Sequence, residues 1–331
     1  MNYLDCASQI TLSPLGLERE EMAYHTPVMP EEVLSFLKPL CGKTILDGTL
    51  GGGGHTRLLL QAGASVIALD QDLDAISEVE NSLSTQENRH LHEHLQIKHC
   101  NFREVDLALA ELSVSQIDGA LLDLGVSSHQ IDEAERGFSF QQGGPLDMRM
   151  DRRSKMTAAD LVNFADFEEL LRIFRDYGEQ HRASRVASRI IQAREQNPIQ
   201  TTDQLTQIIE SIIPRKSGKS PATQIFQAIR IAINDELQAL EEGLEKITRH
   251  LAPGAPFVVL SFHSLEDRIV KHFFKARSQT WIDRPEWPEP RKNPNHCFDL
   301  LTRSPMVAGP EEIKKNPRAR SAKLRAARKT N

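Results

Sequence analysis

Three aspartates each follow a short apolar run, and the first of these runs leads into a glycine-rich loop. The aspartates are Asp47, Asp70 and Asp123, and residues 51–54 of the loop are all glycine, followed by His55. Buried strands of a parallel sheet read as apolar runs, and such sheets bind ligands beyond the carboxyl ends of their strands. We therefore expect the three carboxylates and the glycines to converge on one crevice.

The distance between the glycine loop and the second aspartate is typical of a nucleotide site. Glycine lets the backbone approach a ligand closely and turn tightly into a helix. Asp70 lies close to the ~20 residues beyond the loop at which an acidic residue commonly accepts hydrogen bonds from a ribose diol. The chain lacks a G-x-x-x-x-G-K-[ST] segment, which disfavours a nucleoside triphosphate. These features favour NAD or S-adenosylmethionine equally, and Asp47 has the alternative role of a local capping residue.

The elements that must position these residues belong to an α/β fold. Residues 24–125 alternate strand-like and helix-like segments, which predicts a doubly wound sheet. The expected strands are 44–47, 66–70, 97–102, 118–123 and 256–261. Between about 135 and 220 only helical periodicity occurs, and a long helix is expected from 222 to 248. The prediction is an N-terminal extension (1–23), a discontinuous sheet domain (24–134 and 222–331) and an inserted helical domain (135–221).

Composition excludes several classes of protein. The chain has 331 residues and a net charge of −6, and no run of 18 apolar residues that would cross a membrane. Its N-terminus lacks the basic start and apolar stretch of a signal or transit peptide. Its four cysteines are far apart, which favours a reducing cytoplasm and disfavours structural zinc. We expect no metal site, and we interpret the alternating His90, His92 and His94 as a solvated strand or loop edge.

Basic residues are concentrated in two regions. From Lys314 to Lys329 there are eight basic residues and no acidic one. Arginines also enrich the segment predicted to form the inserted helices, where spacings of three and four place several on one face. A solvated tail or helix face is the simpler reading, whereas contact with a polyanion such as RNA is the functional one.

Several longer strings occur together and in order along the chain. They are His25-Thr-Pro-Val28, Asp47-Gly-Thr, Gly53-Gly54-His55, Asp123-Leu-Gly-Val-Ser-Ser128, Glu135-Arg-Gly-Phe-Ser-Phe140, Phe226-Gln-Ala228, Ser261-Phe-His-Ser-Leu-Glu-Asp-Arg268 and Asn316-Pro-Arg-Ala-Arg-Ser-Ala-Lys323. From about Tyr24 to Lys329 the chain closely resembles the MraW/RsmH family of small-subunit ribosomal RNA methyltransferases, which act on cytosine N4. The resemblance implies a class I (Rossmann-like) methyltransferase sheet, an inserted helical domain that holds RNA, and S-adenosylmethionine as cofactor.

Matching positions assign candidate site residues. Those implied to bind S-adenosylmethionine are Gly53, Gly54, His55, Asp70, Phe102, Asp123 and Gln130. Our candidates for contact with cytosine N4 are Asp123, Ser127 and His263. The candidates for RNA contact are Arg149, Arg153, Arg182, Arg185, Arg318, Arg320 and Lys323.

The chain departs from the family pattern at Gln224, where the family usually has arginine, and residues 1–23 precede the usual family start. Two other classes stay open from the sequence. An NAD-type Rossmann oxidoreductase explains the glycine loop and Asp70, but not the strings after Asp123 or the basic C-terminal segment. A non-catalytic RNA-binding protein explains the arginines, but not three strand-end carboxylates around a glycine loop. The sequence leaves open the oligomeric state, the nucleotide that is modified, and whether the partner is free ribosomal RNA or an assembled small subunit.

Overall fold

The computed structural model describes residues 26–86, 88–214 and 220–330, so the predicted extension 1–23 lies outside it. Its centre is a seven-stranded sheet with the order β3-β2-β1-β4-β5-β9-β8. The strands are Thr44–Asp47 (β1), Ser65–Asp70 (β2), Leu95–His99 (β3), Gly119–Asp123 (β4), Pro256–Ser261 (β5), Trp281–Ile282 (β6), Arg291–Lys292 (β7), Phe298–Leu300 (β8) and Lys323–Lys329 (β9). Strands β6 and β7 form a separate short hairpin. Five neighbouring strands of the sheet, β3, β2, β1, β4 and β5, run parallel to one another. Strand β9 is antiparallel to both β5 and β8.

Fourteen helices are described. They are Pro30–Leu37 (α1), Gly54–Gln61 (α2), Leu73–Leu83 (α3), Arg89–His92 (α4), Val105–Glu111 (α5), Ser128–Asp132 (α6), Ala158–Phe164 (α7), Phe167–Asp176 (α8), Ala183–Arg194 (α9), Thr202–Ile212 (α10), Ala222–Asn234 (α11), Glu236–His250 (α12), Ser264–Ser278 (α13) and Pro310–Lys315 (α14). None of the helices in the described ranges is long and apolar enough to span a membrane.

Both faces of the sheet are buried, as the continuous apolar runs predict. Leu121 of β4 points to one face, where α1, α2 and α3 cover the sheet. Its neighbours Ala120 and Leu122 point to the other face, where α5, α12 and α13 pack. Because the core fixes both faces of β4, it also fixes the direction in which the chain leaves the strand at Asp123.

A third hydrophobic cluster joins the helices between β4 and β5. It contains residues from α7, α8, α9, α10 and α11, between Leu146 and Ile229. Phe226 of α11 is part of it and meets Phe140 edge-on, with ring centroids 5.3 Å apart. The cluster therefore extends beyond residue 221, and the division of the chain into domains remains a prediction.

Four expectations differ from the structure. The expected helix 222–248 is two helices, because Asp235 adopts a left-handed φ of 49° between α11 and α12. The expected strand 97–102 is β3, which ends at His99, and Phe102 begins a 3₁₀ turn. His90 and His92 belong to the short helix α4 instead of a strand or loop edge. Arg149, Arg152 and Arg153 lie in the loop before α7 and not on an inserted helix.

Candidate active site at the carboxyl ends of the strands

A cavity of about 330 Å³ opens where the parallel strands end. The glycine loop after β1, Asp70 of β2 and Asp123 of β4 line it, together with residues that follow β3 and β5. The N-terminal segment 26–28 and the C-terminal residues Asn316, Arg318 and Ser321 also contribute to its wall. The crevice predicted from the strand ends is therefore present, and segments near both ends of the described chain contribute to its wall.

The glycine loop fits closely between its neighbours. Gly53 has φ +74° and precedes α2, and a Cβ there would lie 2.9 Å from a methyl group of Val79. Gly54 packs against Pro27, to which an added Cβ would come within 3.1 Å. Gly54 and His55 line the cavity, whereas Gly53 is not among the lining residues in the described part of the chain. Gly53 therefore shapes the turn behind the cavity wall.

Asp70 is anchored by backbone donors at the cavity edge. Its Oδ2 accepts a hydrogen bond from Gly51 N at 2.7 Å, and its Oδ1 accepts one from Asp72 N at 2.8 Å. Burial raises the pKa of Asp70 to about 6, against the lowering effect of the two backbone donors. Each oxygen keeps a further lone pair, so the fixed carboxylate can accept hydrogen bonds from a diol.

Asp47 does not join the other two carboxylates. It is buried, and its oxygens accept hydrogen bonds from Thr56 Oγ1 at 2.7 Å and Thr49 N at 3.1 Å. Burial raises its pKa, and it does not line the cavity formed by the described residues. The expectation that all three aspartates meet in one crevice is wrong, because Asp47 holds the loop together from behind.

Asp123 and His55 face each other across the cavity wall. His55 Nε2 lies 3.6 Å from Asp123 Oδ2, and neither His55 Nε2 nor Asp123 Oδ1 has a hydrogen-bond partner among the described residues. Burial lowers the pKa of His55 to about 4, so the imidazole is neutral at neutral pH. Burial, reinforced by the charges of Asp47 and Glu266, raises the pKa of Asp123 to about 8. The pair therefore presents two polar atoms that a ligand can satisfy.

Ser127 and Gln130 form a reciprocal cap at the start of α6. Ser127 Oγ accepts from Gln130 N at 3.2 Å, and Gln130 Oε1 accepts from Ser127 N at 3.0 Å. Gln130 Nε2 donates to the buried Asp72 at 2.7 Å. Both residues line the cavity, but these bonds already use much of their polar capacity. Their main effect is to set the path of the chain after Asp123.

A buried ion pair that the sequence did not single out supports this loop. Arg136 Nη1 lies 2.7 Å from Asp72 Oδ2, and both side chains are about 3% exposed. Arg136 also donates to the carbonyl of Arg149 at 3.0 Å. At Gly137 (φ 72°) an added Cβ would collide with the Pro145 carbonyl. The Glu135-Arg-Gly string therefore has a structural role. Through Arg136 it joins the loop after β2 to the loop that leads into α7.

Phe102 forms the cavity wall beyond β3. The ring lies against α12 at Gly243, where an added Cβ would overlap it. Leu240 of the same helix and Asn101 line the cavity beside it. The position suits the flat face of an adenine next to the Asp70 carboxylate, as the resemblance implies.

His263 is placed differently from the expectation. It caps α13, with its ring nitrogens near Glu266 N (3.4 Å) and Glu266 Oε1 (3.1 Å), and it does not line the cavity built by the described residues. Glu266 does line it, as do Arg230 and Glu236. Glu236, His263 and Glu266 come close enough to hold a cation, but Arg230 binds both oxygens of Glu236 at 2.8 Å and supplies the positive charge there.

The predicted RNA contacts fall into two groups. Arg149, Arg153, Arg318 and Lys323 are paired with Asp147, Asp151, Asp132 and Asp267, respectively. Arg182, Arg185 and Arg320 are exposed. The basic C-terminal segment is not a free tail, because it ends in β9, where Arg325 is buried against Asp267 at 2.7 Å.

The donor set fits S-adenosylmethionine. A fixed carboxylate is available for the ribose, an aromatic wall for the adenine, and a glycine cradle for the methionine end next to the unpartnered atom of Asp123. The sheet order, with β9 antiparallel beside β5, and this site define a class I methyltransferase that uses S-adenosylmethionine.

The chain belongs to the MraW methylase family, whose model matches residues 22–330. It is 48% identical over 315 residues to ribosomal RNA small subunit methyltransferase H of Syntrophotalea carbinolica, covering 93% of this chain and 99% of the relative. It is 49% identical over 311 residues to the protein of the same name from Geobacter sulfurreducens, covering 92% of this chain and 98% of that protein. The resemblance seen in the motifs is confirmed, and the oxidoreductase and non-catalytic alternatives are set aside.

Proposed function

We propose that this chain transfers the methyl group of S-adenosylmethionine to N4 of one cytidine in small-subunit (16S) ribosomal RNA, near the decoding site. The observation that carries the proposal is the carboxyl of Asp123, which lines the cavity next to the glycine cradle and has an oxygen without a partner among the described residues. The name of the relatives supports small-subunit ribosomal RNA as the substrate. The motif resemblance supports cytosine N4 as the methylated atom.

Positioning is the main catalytic task. When bound, the cofactor supplies a methyl group on an electrophilic sulfonium. The cytosine amine is a poor nucleophile, because its lone pair is delocalised into the ring, so N4 must be held in line with the methyl at about 3 Å. Asp123 would accept a hydrogen bond from the amine and take up its proton as the nitrogen rehybridises. Thr49 Oγ1 accepts from Asp123 N at 2.6 Å and so keeps this carboxyl in place beside the loop.

Two other candidates take different roles. Ser127 lines the cavity and uses its oxygen as an acceptor for the α6 cap, so its hydroxyl proton remains available to a substrate. His263 lies behind the wall and contacts Glu266. We therefore keep Ser127 as a candidate contact to the base and assign His263 to positioning α13.

The base must leave its stack to reach the cavity, because stacked RNA cannot present the amine to the methyl group. We propose that the inserted helices hold the surrounding RNA through exposed guanidinium groups, such as Arg182 and Arg185 of the α9 region. Arg318 at the cavity wall is placed to contact a phosphate near the extruded base. We propose that the reaction takes place in the cytoplasm, with ribosomal RNA or the small subunit as partner.

Transfer of a labelled methyl group to undermethylated small subunits, followed by nucleoside analysis, tests the proposal. We expect N4-methylcytidine with the wild-type protein and none with Asp70→Ala, which lacks the ribose acceptor. Naked ribosomal RNA assayed in parallel identifies which form is the substrate. A labelled nucleoside methylated elsewhere, or no transfer to either RNA form by protein that binds S-adenosylhomocysteine, would contradict it.

A further inference from the structure

The cavity has a second wall that the expected cofactor contacts do not use. Asp70 at the end of β2 and Phe102 after β3 lie on one side of Asp123 in the strand order. On the other side of Asp123 is β5, and Phe262 and Glu266 follow it and also line the cavity. A cofactor that extends from Phe102 towards Asp123 leaves this β5 side for the molecule that receives the methyl group.

Phe262 is held on this wall by a backbone hydrogen bond and by the contact of its ring with Gly125. Its backbone N donates to Glu266 Oε2 at 2.8 Å, which ties the residue to the start of α13. Its ring lies over Gly125, where a Cβ would be 3.5 Å from Cδ2, and Gly125 has φ +101°. Part of the side chain is buried against the hydrophobic cluster that contains Leu121, and the rest of it remains exposed. The ring therefore has a fixed place and an accessible surface.

The register of the strands places this ring beside Asp123. Asp123 pairs with Leu260 of β5, and Leu124 N donates to Leu260 O at 3.1 Å. Phe262 is two residues beyond Leu260, and Gly125, which it contacts, is two residues beyond Asp123. A flat group lying on Phe262 would therefore be on the Asp123 side of the cavity, away from Asp70.

The charged groups of the same wall are already paired. Glu266 Oε2 accepts from the backbone N of both Phe262 and His263. Arg230 binds both oxygens of Glu236. Burial would raise the pKa of Glu266, but its contact with His263 and the charge of Arg230 leave that pKa lowered. The exposed face of the Phe262 ring therefore remains available to a ligand. It suits a planar, weakly polar ligand such as a nucleobase.

We propose that Phe262 stacks on the target cytosine and so holds N4 at Asp123. The assignment rests on the proposed function and adds the residue that positions the base. Extruded bases are commonly held between aromatic or apolar side chains, which compensates for the stacking that they lose. The segment that follows Asp123 reads Leu-Gly-Val-Ser-Ser and has no aromatic side chain that could stack on the base. Phe262, which follows β5, provides the aromatic face instead.

Phe262→Leu and Phe262→Tyr, assayed on undermethylated small subunits, test the assignment. Leucine keeps apolar volume but removes the aromatic face, so we expect kcat/KM to fall about tenfold to a hundredfold. Tyrosine keeps the face and should restore most of the rate. Binding of S-adenosylhomocysteine should stay unchanged in both variants. Phe102→Leu is the matched control on the cofactor side, and it should weaken S-adenosylhomocysteine binding instead.

The outcomes separate the assignment from the proposed function. Wild-type rates in Phe262→Leu, or a loss that Tyr does not restore although S-adenosylhomocysteine binding and the melting temperature are unchanged, would overturn the stacking role. If Phe262→Leu melts early, Phe262→Met provides the same comparison with a more adaptable apolar side chain. Absence of N4-methylcytidine with the wild-type protein would overturn the proposed function, and the base assignment with it.

Discussion

At the scale of single residues, the site depends on polar atoms that are buried before any ligand binds. Asp123 Oδ1 and His55 Nε2 lack partners among the described residues. A buried polar atom without a hydrogen bond costs about 1–3 kcal/mol, so a ligand that satisfies it gains affinity. Both groups are also shifted towards their neutral forms by burial. This shift makes the chemistry of the site dependent on pH.

Methyl transfer should rise with pH as Asp123 ionises. Its pKa is about 8, so the carboxyl is mainly protonated at pH 7 and becomes a full acceptor above pH 8. We expect kcat to increase between pH 7 and pH 9 in the wild-type protein. Asp123→Asn should lose about a hundredfold or more of the rate and this pH dependence. Near-normal turnover of the variant across this range would contradict the role of Asp123.

Thermal unfolding of the same variant is the control. A carboxyl whose folded pKa is raised stabilises the protein at low pH, and this contribution is lost as pH rises from the unfolded value of 3.8 towards 8. Asparagine does not ionise, so Asp123→Asn avoids this loss of stability. At pH 8 the variant should therefore melt at the same temperature as the wild type or higher. Lost turnover in a protein that is at least as stable then reports on chemistry.

Cofactor affinity should depend on the ionisation of Asp70. Its pKa is about 6, so lowering the pH from 7.5 to 5 protonates the carboxylate that is proposed to accept hydrogen bonds from the ribose. A hydrogen bond to a charged acceptor contributes about 1.5–3 kcal/mol, so we expect S-adenosylhomocysteine to bind up to about tenfold more weakly at pH 5, the most that protonating a carboxyl of this pKa allows. Calorimetric titration measures this difference. Asp70→Asn should bind weakly at both pH values, and equal wild-type affinity at both would argue against the ribose contact.

At the scale of secondary-structure elements, α12 forms part of the cavity wall on the side where the cofactor is proposed to bind. An alanine usually stabilises the interior of a helix relative to glycine by about 0.5–1 kcal/mol. At Gly243 the added methyl group would overlap the Phe102 ring and push it away from the cavity wall. We therefore expect Gly243→Ala to weaken S-adenosylhomocysteine binding and to lower the melting temperature, despite its better helix propensity.

Gly309→Ala is the matched control for that experiment. Nothing lies within 4 Å of a Cβ at Gly309, and its φ of −71° suits any residue. This variant should bind and melt like the wild type. Wild-type binding by Gly243→Ala would show that the position of Phe102 does not determine the cofactor site.

At the scale of the whole molecule, the proposed function requires the inserted helices and the sheet to act on the same RNA. Arg185 is exposed on α9, whereas Arg153 already pairs with Asp151 at 2.8 Å. If Arg185 binds a phosphate, Arg185→Ala should reduce the slope of log affinity against log salt by about one. Arg153→Ala should change that slope less. Filter binding to small-subunit RNA at several salt concentrations measures both, and equal slopes in Arg185→Ala and wild type would exclude the contact.

Much of this architecture follows from local sequence signals. The apolar runs that end at Asp70 and Asp123 predict the strands and the cavity edge. A strand that is buried on both faces of a parallel sheet is a continuous run of apolar residues, which is easily recognised in the sequence. The break at Asp235 was missed, because apolar residues keep helical spacing across it and only the backbone angle changes. Arg136 and Phe262 were also missed as individual residues. Their roles depend on partners far along the chain, Asp72 and Gly125, which periodicity does not reveal.

The most direct measurement of the central claim is the structure of this protein with S-adenosylhomocysteine bound. We expect both ribose hydroxyls on the carboxylate of Asp70, the adenine against Phe102, and the sulfur on the Asp123 side of the glycine loop. We also expect an open space between that sulfur and Phe262 for the base. A ligand bound with its ribose away from Asp70, or with its sulfur turned away from Asp123, would contradict the claim.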